Sequence, residues 1–399
     1  MEDGSAGLVL TLSVLLLVGL GTEVVGWRLR VPRVTLLILA GMIAGAPGLD
    51  VLPVETGAWY PVVSKVALVM VGFLLGRNLA LPLLRARGTR LIWFSACAVL
   101  GAALLVGGLL VAAGAPLPLA LVLAGVAPAS APAAIMNVVE EAGARGSYTR
   151  TMLSVVAVNN VVGLVVFDIL LAGAEMIANA RAPAGPLLSG AQSVGGALLA
   201  GALLALPTTL IVRHVRSGEP MQVAALGLIL ACGALALWLG ASYLLAAITM
   251  GAVLVNVLKS DSRPFDTVEA IDWPVMVLFF VLTGASAHPE KIATIGTFGA
   301  LYVVGRVLGL LGGAWLGGAL GRAPDAHRRW LGPAIQPQAG VALGMALTAG
   351  AALPQWEDTI MAVVVGSTVL FELVGPVFTR LALVRTGELD QARAPEQAQ

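Results

Sequence analysis

Charged residues are scarce in this chain of 399 residues: Asp, Glu, Lys and Arg together make up 11%, whereas hydrophobic residues make up 58%. The mean hydropathy is +0.94. A water-soluble domain of this size could not cover its surface with so few charges. The net charge of +1 also gives no reason to expect a nucleic-acid partner. The composition therefore predicts an integral membrane protein whose main partner is the lipid bilayer.

Cysteine and histidine are equally scarce, with two and three residues. Cys97 and Cys232 lie in apolar segments without metal-ligand spacing, which argues against a disulfide framework or a zinc site. The three histidines, His214, His288 and His327, all fall in predicted loops. The sequence contains no Ser/His/Cys constellation, zinc motif or phosphate-binding loop. It therefore predicts neither an enzyme nor a bound cofactor.

Glycine and proline, by contrast, are abundant inside the apolar segments, with 48 and 22 residues in the chain. This suits tightly packed, interrupted transmembrane helices better than a β-barrel. Thirteen segments are long enough to span a membrane, namely 7–27, 34–49, 59–76, 91–114, 117–139, 150–174, 186–212, 220–239, 241–258, 273–287, 293–319, 330–352 and 359–384. We expect a single all-α transmembrane domain over residues 1–385 and a disordered cytoplasmic tail over 386–399.

The distribution of Lys and Arg predicts the orientation of these segments. Nineteen of the 23 basic residues lie on one side, in the loops after odd-numbered segments and in the tail. Loops on the other side hold only Arg181 and Lys291, and Lys65 and Arg306 lie within segments. Because basic loops stay in the cytoplasm, we expect an external N-terminus, a cytoplasmic C-terminus and a location in the inner membrane.

Two of the segments carry helix-breaking residues near their centres. The fifth has Pro128 and Pro132 on either side of Ser130, and the twelfth has Pro337, Gln338 and Gly340 in a matching place. Proline removes a backbone donor and clashes one turn back, so we expect both helices to be interrupted. The fifth segment enters from outside and the twelfth from inside, which indicates an inverted repeat. Such paired breaks are typical of transporter substrate sites.

Polar side chains lie at a similar depth in three other segments. Asn159 and Asn160 are about 15 Å from the cytoplasmic start of the sixth segment, in the middle of a roughly 30 Å core. Arg306 and Glu372 lie about 20 Å below the outer starts of the eleventh and thirteenth segments. Asp168, about 12 Å beyond Asn160, is expected at the outer mouth. Buried polar groups in a membrane are costly and are therefore candidate functional residues.

Arg306 in particular needs an acceptor, because its guanidinium cannot lose its proton. Glu372 is the charged candidate, and Asn159, Asn160 and the carbonyls of the broken helices are neutral candidates. Two roles stay open at this point. Arg306 either forms a permanent clamp with Glu372 or an asparagine, or it senses the transported species directly.

Four segments together resemble the bacterial monovalent cation/proton antiporters of the sodium/proton exchanger superfamily. The first broken helix reads SAPAAIMNVVEEAGARG, the ion-binding helix TRTMLSVVAVNNVVGLVVF, the basic-residue helix YVVGRVLGLLGG and the second broken helix QPQAGVALGMAL. The resemblance extends from Thr11 to Leu383. It implies the sodium/proton antiporter fold, with two crossed broken helices, a homodimer and alternating access. The moving core would comprise helices in about 91–174 and 293–384.

The resemblance also implies a binding site for a monovalent cation, most readily Na⁺, that exchanges with protons. Asn160 and Ser130 would supply oxygen ligands, with Asn159 beside them and Gln338 opposite. In that family, however, the position of Asn160 carries an aspartate that takes cation and proton in turn. An amide has no proton to exchange near neutral pH.

Three interpretations of this difference stay open. Cation/proton exchange is impaired because the acid is missing; or another carboxylate carries the proton, Glu372 first and Asp168 second; or Arg306 and the two amides bind a small anion or polar solute.

Overall fold

The fold is taken from a computed structural model, which describes residues 2–29, 33–45, 49, 56–77, 79–82, 88–179, 186–216, 218–259, 261–285 and 289–388. His288 and Arg181 lie outside the described residues, as do positions 389–399 of the predicted tail.

Fifteen α-helices of ten or more residues lie in the described part of the chain. They are α1 Glu2–Leu29, α2 Arg33–Ala44, α3 Thr56–Arg77, α4 Gly88–Ala112, α5 Leu117–Val126, α6 Pro132–Ala142, α7 Ser147–Asn179, α8 Pro186–His214, α9 Glu219–Trp238, α10 Tyr243–Leu258, α11 Arg263–Ala285, α12 Pro289–Leu320, α13 Asp325–Ala334, α14 Gly340–Ala352 and α15 Glu357–Arg385. A short 3₁₀ turn, Pro354–Trp356, precedes α15.

The all-α membrane fold expected from the sequence is confirmed. Eleven predicted segments correspond to one helix each, and the fifth and twelfth correspond to the pairs α5/α6 and α13/α14. Within the described ranges, seven helices are long and apolar enough to cross a membrane by length and composition alone. The tenth segment was predicted too short, since α11 begins at Arg263 and not at 273. Its first turns carry Asp266, Glu269 and Asp272, so hydropathy alone misses them.

The chain divides into two compact units. The first comprises residues 1–78 and 192–293. Within it α3 packs on α10 and α2 packs on α11. These helices approach so closely that a Cβ at Gly41 or Gly76 would lie within 3.0 Å of a backbone carbonyl of the neighbouring helix. Small residues permit this kind of packing between membrane helices.

The second unit comprises residues 79–191 and 294–399. It holds both broken helices and α7, α12 and α15, the helices for which the sequence predicts the polar site. In this unit α12 carries glycine at every fourth position along the face that meets α4. These are Gly305, Gly309, Gly313 and Gly317, and their nearest neighbours run antiparallel along α4 from Val106 to Trp93. We call this contact the glycine seam. Arg306 directly follows Gly305, so the close packing of the seam holds the backbone next to Arg306 in place.

The second unit also includes the start of the predicted tail. The last helix ends at Arg385, Gly387 turns the chain with φ +76°, and Glu388 is buried at 6% exposure. The boundary at 386 was therefore placed too early, because a polar side chain in a tail can still be buried when helix ends offer it donors.

Candidate ion-binding site

The two interruptions form the centre of the candidate site. Residues 127–131 separate α5 from α6, and residues 335–339 separate α13 from α14. Proline opens α6 at its first position, where the missing N–H costs nothing. Both interruptions lie where the sequence predicts them.

The interruptions are bonded directly to each other. The Ala131 N–H donates to the Pro337 carbonyl at 2.8 Å, and the Ser130 hydroxyl donates to the Ile335 carbonyl at 2.9 Å. Buried backbone groups left free by a broken helix must find partners. Here each break supplies partners for the other, so the crossing is a defined structure and not a pair of loose loops.

Asn160 closes this crossing from α7. Its Oδ1 accepts from the Ser130 N–H at 3.0 Å, and its Nδ2 donates to the Ser130 carbonyl at 3.1 Å. Both residues are buried at 1% exposure. The predicted neighbourhood of Asn160 and Ser130 is therefore present. The two residues satisfy each other's polar groups in both directions.

Arg306 is fully buried and binds the carbonyl ends of both broken helices. Its Nη2 donates to the Ala129 carbonyl at 2.8 Å, while its Nη1 donates to the Gln336 carbonyl at 2.8 Å and to Gln336 Oε1 at 3.2 Å. Its guanidinium carbon lies 4.2 Å from the centre of the Phe371 ring, a cation–π contact.

The predicted clamp between Arg306 and Glu372 or an asparagine is wrong in this structure. Among the described residues, no ion pair within 4.0 Å joins Arg306 to a carboxylate, and its hydrogen bonds go to Ala129 and Gln336. The physical reason is that C-terminal helix ends carry partial negative charge. The carbonyl ends that follow α5 and α13 together compensate the guanidinium, so a carboxylate is not needed.

Glu372 is instead a buried carboxyl group on α15 at 2% exposure. Its Oε1 has no hydrogen-bond partner within the described structure, and neither has the hydroxyl of Thr368 one turn earlier. Residues four apart lie on the same face of a helix. The two side chains thus form an unsatisfied polar patch on α15.

Gln338 and Asn159 do not bond to the Asn160–Ser130 pair. Gln338 Nε2 donates to the Tyr302 hydroxyl at 3.0 Å, which leaves Gln338 Oε1 without a partner in the described chain. Both amide atoms of Asn159 likewise lack partners among the described residues, although the side chain is fully buried. Asp168 is buried at 5% exposure farther along α7.

Sequence reasoning missed Gln336, Tyr302 and Phe371, which complete the surroundings of Arg306 and Gln338. Gln336 could have been noticed, since it is a second amide two residues before Gln338 in the same QPQ string. Tyr302 lies four residues before Arg306 and therefore on the same face of α12. Phe371 gives no signal, because an aromatic residue in an apolar helix looks like ordinary packing.

The ends of the broken helices and Arg306 set the electrostatics of the crossing. Arg306 compensates the carbonyl ends of α5 and α13, whereas the amino ends of α6 and α14 have no side-chain cap. Amino ends of helices carry partial positive charge and stabilise anions. A carboxylate at residue 160 would meet the Ser130 N–H with one oxygen and the Ser130 carbonyl with the other.

The geometry invites comparison with known transporters. The sequence pattern of the transmembrane sodium/hydrogen exchangers matches residues 12–383. The chain belongs to the sodium/hydrogen exchanger family. The fold agrees with two solved structures of the sodium proton antiporter MjNhaP1 from Methanocaldococcus jannaschii.

The likeness to the MjNhaP1 structure at pH 8 has a TM-score of 0.78 at 19% identity and covers 96% of this chain and 99% of that chain. For a structure from electron microscopy the TM-score is 0.68 at 20% identity, over 98% and 97% of the two chains. At these identities the likeness shows the shared fold. No curated protein sequence matches the chain.

Membership of the exchanger family confirms the family that the sequence resembles. It makes the protein a multi-pass membrane protein of a transporter family and not of an enzyme class.

Proposed function

We propose that this exchanger-family protein carries a monovalent cation, Na⁺ in the first place, against protons by alternating access, and that Asn160 impairs the exchange. The observation that carries the proposal is the two-way hydrogen bonding between Asn160 and Ser130. Both broken helices meet at this pair, and family membership makes cation/proton exchange the expected activity.

The bond from Asn160 Nδ2 to the Ser130 carbonyl explains how an amide would block exchange. An aspartate at residue 160 would place a second oxygen near that carbonyl oxygen, so a proton or a cation would have to lie between them. The amide supplies its own N–H there. It mimics the protonated acid permanently, because an amide does not release a proton near neutral pH.

The test compares the protein with its Asn160→Asp variant in the same proteoliposomes. Solid-supported-membrane electrophysiology and a pH-sensitive dye would record the response to jumps of Na⁺, K⁺ and Li⁺. We expect proton-coupled cation flux from the aspartate variant and much less from the protein itself. A variant that stays silent with all three cations would contradict the proposal.

A second candidate is exchange in which Glu372 carries the proton. It is favoured by the buried Oε1 of Glu372, which has no partner in the described chain. In this case the protein itself would show proton-coupled flux, and Glu372→Gln would abolish that flux. The sequence names Asp168 as the next carboxylate after Glu372, so Asp168→Asn is the variant to compare with Glu372→Gln.

The geometry gives less support to binding of an anion or polar solute at Arg306. Both terminal nitrogens already donate to carbonyls, and the Phe371 ring lies against the guanidinium. An anion would have to displace the carbonyl ends that compensate the charge.

The proposal includes an arrangement in the membrane. The bias of Lys and Arg supports an external N-terminus and a cytoplasmic C-terminus in the inner membrane. The homodimer implied by the family resemblance and the inverted repeat are part of the same proposal. Accessibility labelling of single cysteines at the two ends would test the orientation.

A further inference from the structure

The N-terminal end of α7 is capped by a residue from the opposite end of the chain. The Tyr148 N–H donates to Glu388 Oε1 at 2.9 Å, and the Thr149 hydroxyl donates to Glu388 Oε2 at 2.9 Å. The Glu388 side chain is buried. Its carboxylate therefore satisfies a backbone donor in the first turn of α7, a group with no partner inside the helix.

The residues at the start of α7 do not provide this cap themselves. The residue before the helix is Gly146, which has no side chain that could accept a hydrogen bond. The first turn of α7 contains no acidic residue, although negative charge there is stabilising. Glu388 supplies both the acceptor and the charge.

The fit between Gly146 and Glu388 is close. A Cβ at residue 146 would lie within 3.0 Å of both carboxylate oxygens of Glu388. Any larger residue at 146 would displace the carboxylate. Glycine at this position leaves the space that the carboxylate occupies.

Two further contacts tie the same turn to α13. The Tyr148 hydroxyl donates to the Trp330 carbonyl at 2.8 Å, and the Tyr148 ring meets the His327 ring edge to face with centroids 5.3 Å apart. Arg385, in the last turn of α15, lies 5.9 Å from the centre of the Trp330 ring. One turn of α7 thus contacts α13 and the segment after α15, and Arg385 links α15 to the same part of α13.

We propose that Glu388 is a positioning residue that holds α7, and with it Asn160, in register with α13 and α15. The inference that this affects the ion site rests on the function proposed above. Asn160 lies twelve residues beyond Tyr148, about 18 Å along one continuous helix. A shift at the capped end would move Asn160 relative to Ser130, and binding sites tolerate displacements of only about 0.5 Å.

The first measurement is hydrogen/deuterium exchange of the full-length protein in detergent. We expect amides of residues 147–151 to exchange about fivefold faster in Glu388→Ala, as is typical of a lost helix cap. Glu388→Gln keeps an acceptor for the Tyr148 N–H and should give an intermediate rate. Gly146→Ala should also speed exchange at residues 147–151, because its Cβ would displace the Glu388 carboxylate. This variant provides the test if Glu388→Ala does not fold. Glu141→Ala, at an exposed glutamate of α6, is the control.

The second measurement tests whether loss of the Glu388 cap weakens Na⁺ binding at the ion site. In an Asn160→Asp background, Glu388→Ala should raise the Na⁺ concentration at half-maximal thermal stabilisation by roughly threefold or more, and Glu388→Gln should partly restore it. Unchanged exchange at residues 147–151 would overturn the proposal, as would faster exchange with an unchanged Na⁺ midpoint. If Asn160→Asp shows no response to Na⁺ with Glu388 intact, the proposed function fails, and the exchange rates still decide whether Glu388 holds α7.

Discussion

At residue 160 an amide and a protonated carboxylic acid have almost the same shape but opposite consequences. Both can accept from the Ser130 N–H and donate to the Ser130 carbonyl, the two bonds that Asn160 makes. Only the acid can release its proton and leave room for a cation. Under the proposed function, one nitrogen atom in place of an oxygen would decide whether this crossing can exchange ions.

A substitution at Glu372 tests whether this buried carboxyl group stabilises the fold. Since it makes no ion pair with Arg306 among the described residues, Glu372→Gln should leave the melting temperature unchanged or raise it, because the substitution removes a buried group that can carry charge. Differential scanning fluorimetry would measure this, with Glu357→Gln on the exposed start of α15 as the control. A fall of several degrees would mean that Glu372 stabilises the fold through its charge.

Arg306 is expected to be essential for stability. Arg306→Gln removes the charge and the two-sided contact with the Ala129 and Gln336 carbonyls, which should cost about 3 kcal/mol or more. Arg306→Lys keeps the charge but not the planar fork of the guanidinium. Its melting temperature should therefore lie between those of the unsubstituted protein and Arg306→Gln. Arg329→Gln, at an exposed arginine of α13, controls for the loss of one cation. If Arg306→Gln melts like the control, the guanidinium does not hold the crossing together.

At the scale of helices, proline and glycine predict where a helix stops but not how two helices meet. Pro132 and Gly340 mark the restart of each broken helix, and both lie at the first helical position in the structure. The bonds from Ser130 and Ala131 to the opposite break could not be predicted, because they join residues about 200 positions apart. Hydropathy likewise set α11 too short, since the first turns of this helix carry Asp266, Glu269 and Asp272.

The glycine seam gives a matched pair of adjacent substitutions on α12. A Cβ at Gly313 would lie within 3.0 Å of the Cys97 carbonyl, whereas a Cβ at Gly312 would meet nothing within 4 Å. Gly313→Ala should therefore destabilise the protein by about 1–3 kcal/mol through forced separation of α12 and α4. Gly312→Ala should be neutral or stabilising by up to about 1 kcal/mol.

Thermal melts in one detergent would compare the two glycine variants with the unsubstituted protein. Equal melting temperatures for Gly312→Ala and Gly313→Ala would contradict the close packing of the seam. Because Arg306 follows the first seam glycine, Gly313→Ala should also lower the stability gained from the Arg306 contacts.

For the whole molecule, composition and hydropathy predict the all-α membrane fold and the thirteen segments to which its helices correspond. They succeed because the bilayer imposes the same length and polarity on every segment. The partners of buried polar groups are another matter. For Arg306 the sequence left Glu372, two asparagines and the carbonyls of the broken helices open as acceptors, and the structure places it on the carbonyls of two helix ends. Which acceptor is used depends on the folded backbone, and the same is true of the capping of α7 by Glu388.

The pH dependence of protein stability should show whether residue 160 faces the Ser130 carbonyl. In Asn160→Asp the folded state needs a proton or a cation between the carboxylate and the Ser130 carbonyl, and the unfolded chain does not. The folded state then binds more protons, so stability must fall as pH rises. Without Na⁺, the melting temperature of the variant should therefore fall between pH 6 and pH 9 relative to the unsubstituted protein.

Adding Na⁺ at pH 9 should restore the stability of the variant, by about 2.7 kcal/mol at a concentration 100 times the dissociation constant. Choline at equal ionic strength controls for screening, and it should restore nothing. The unsubstituted protein should respond to neither Na⁺ nor choline, because the Asn160 amide already fills the position. A pH-independent difference between the two proteins would show that residue 160 does not face the Ser130 carbonyl in the folded protein, and the exchange site would then have to be sought at Glu372.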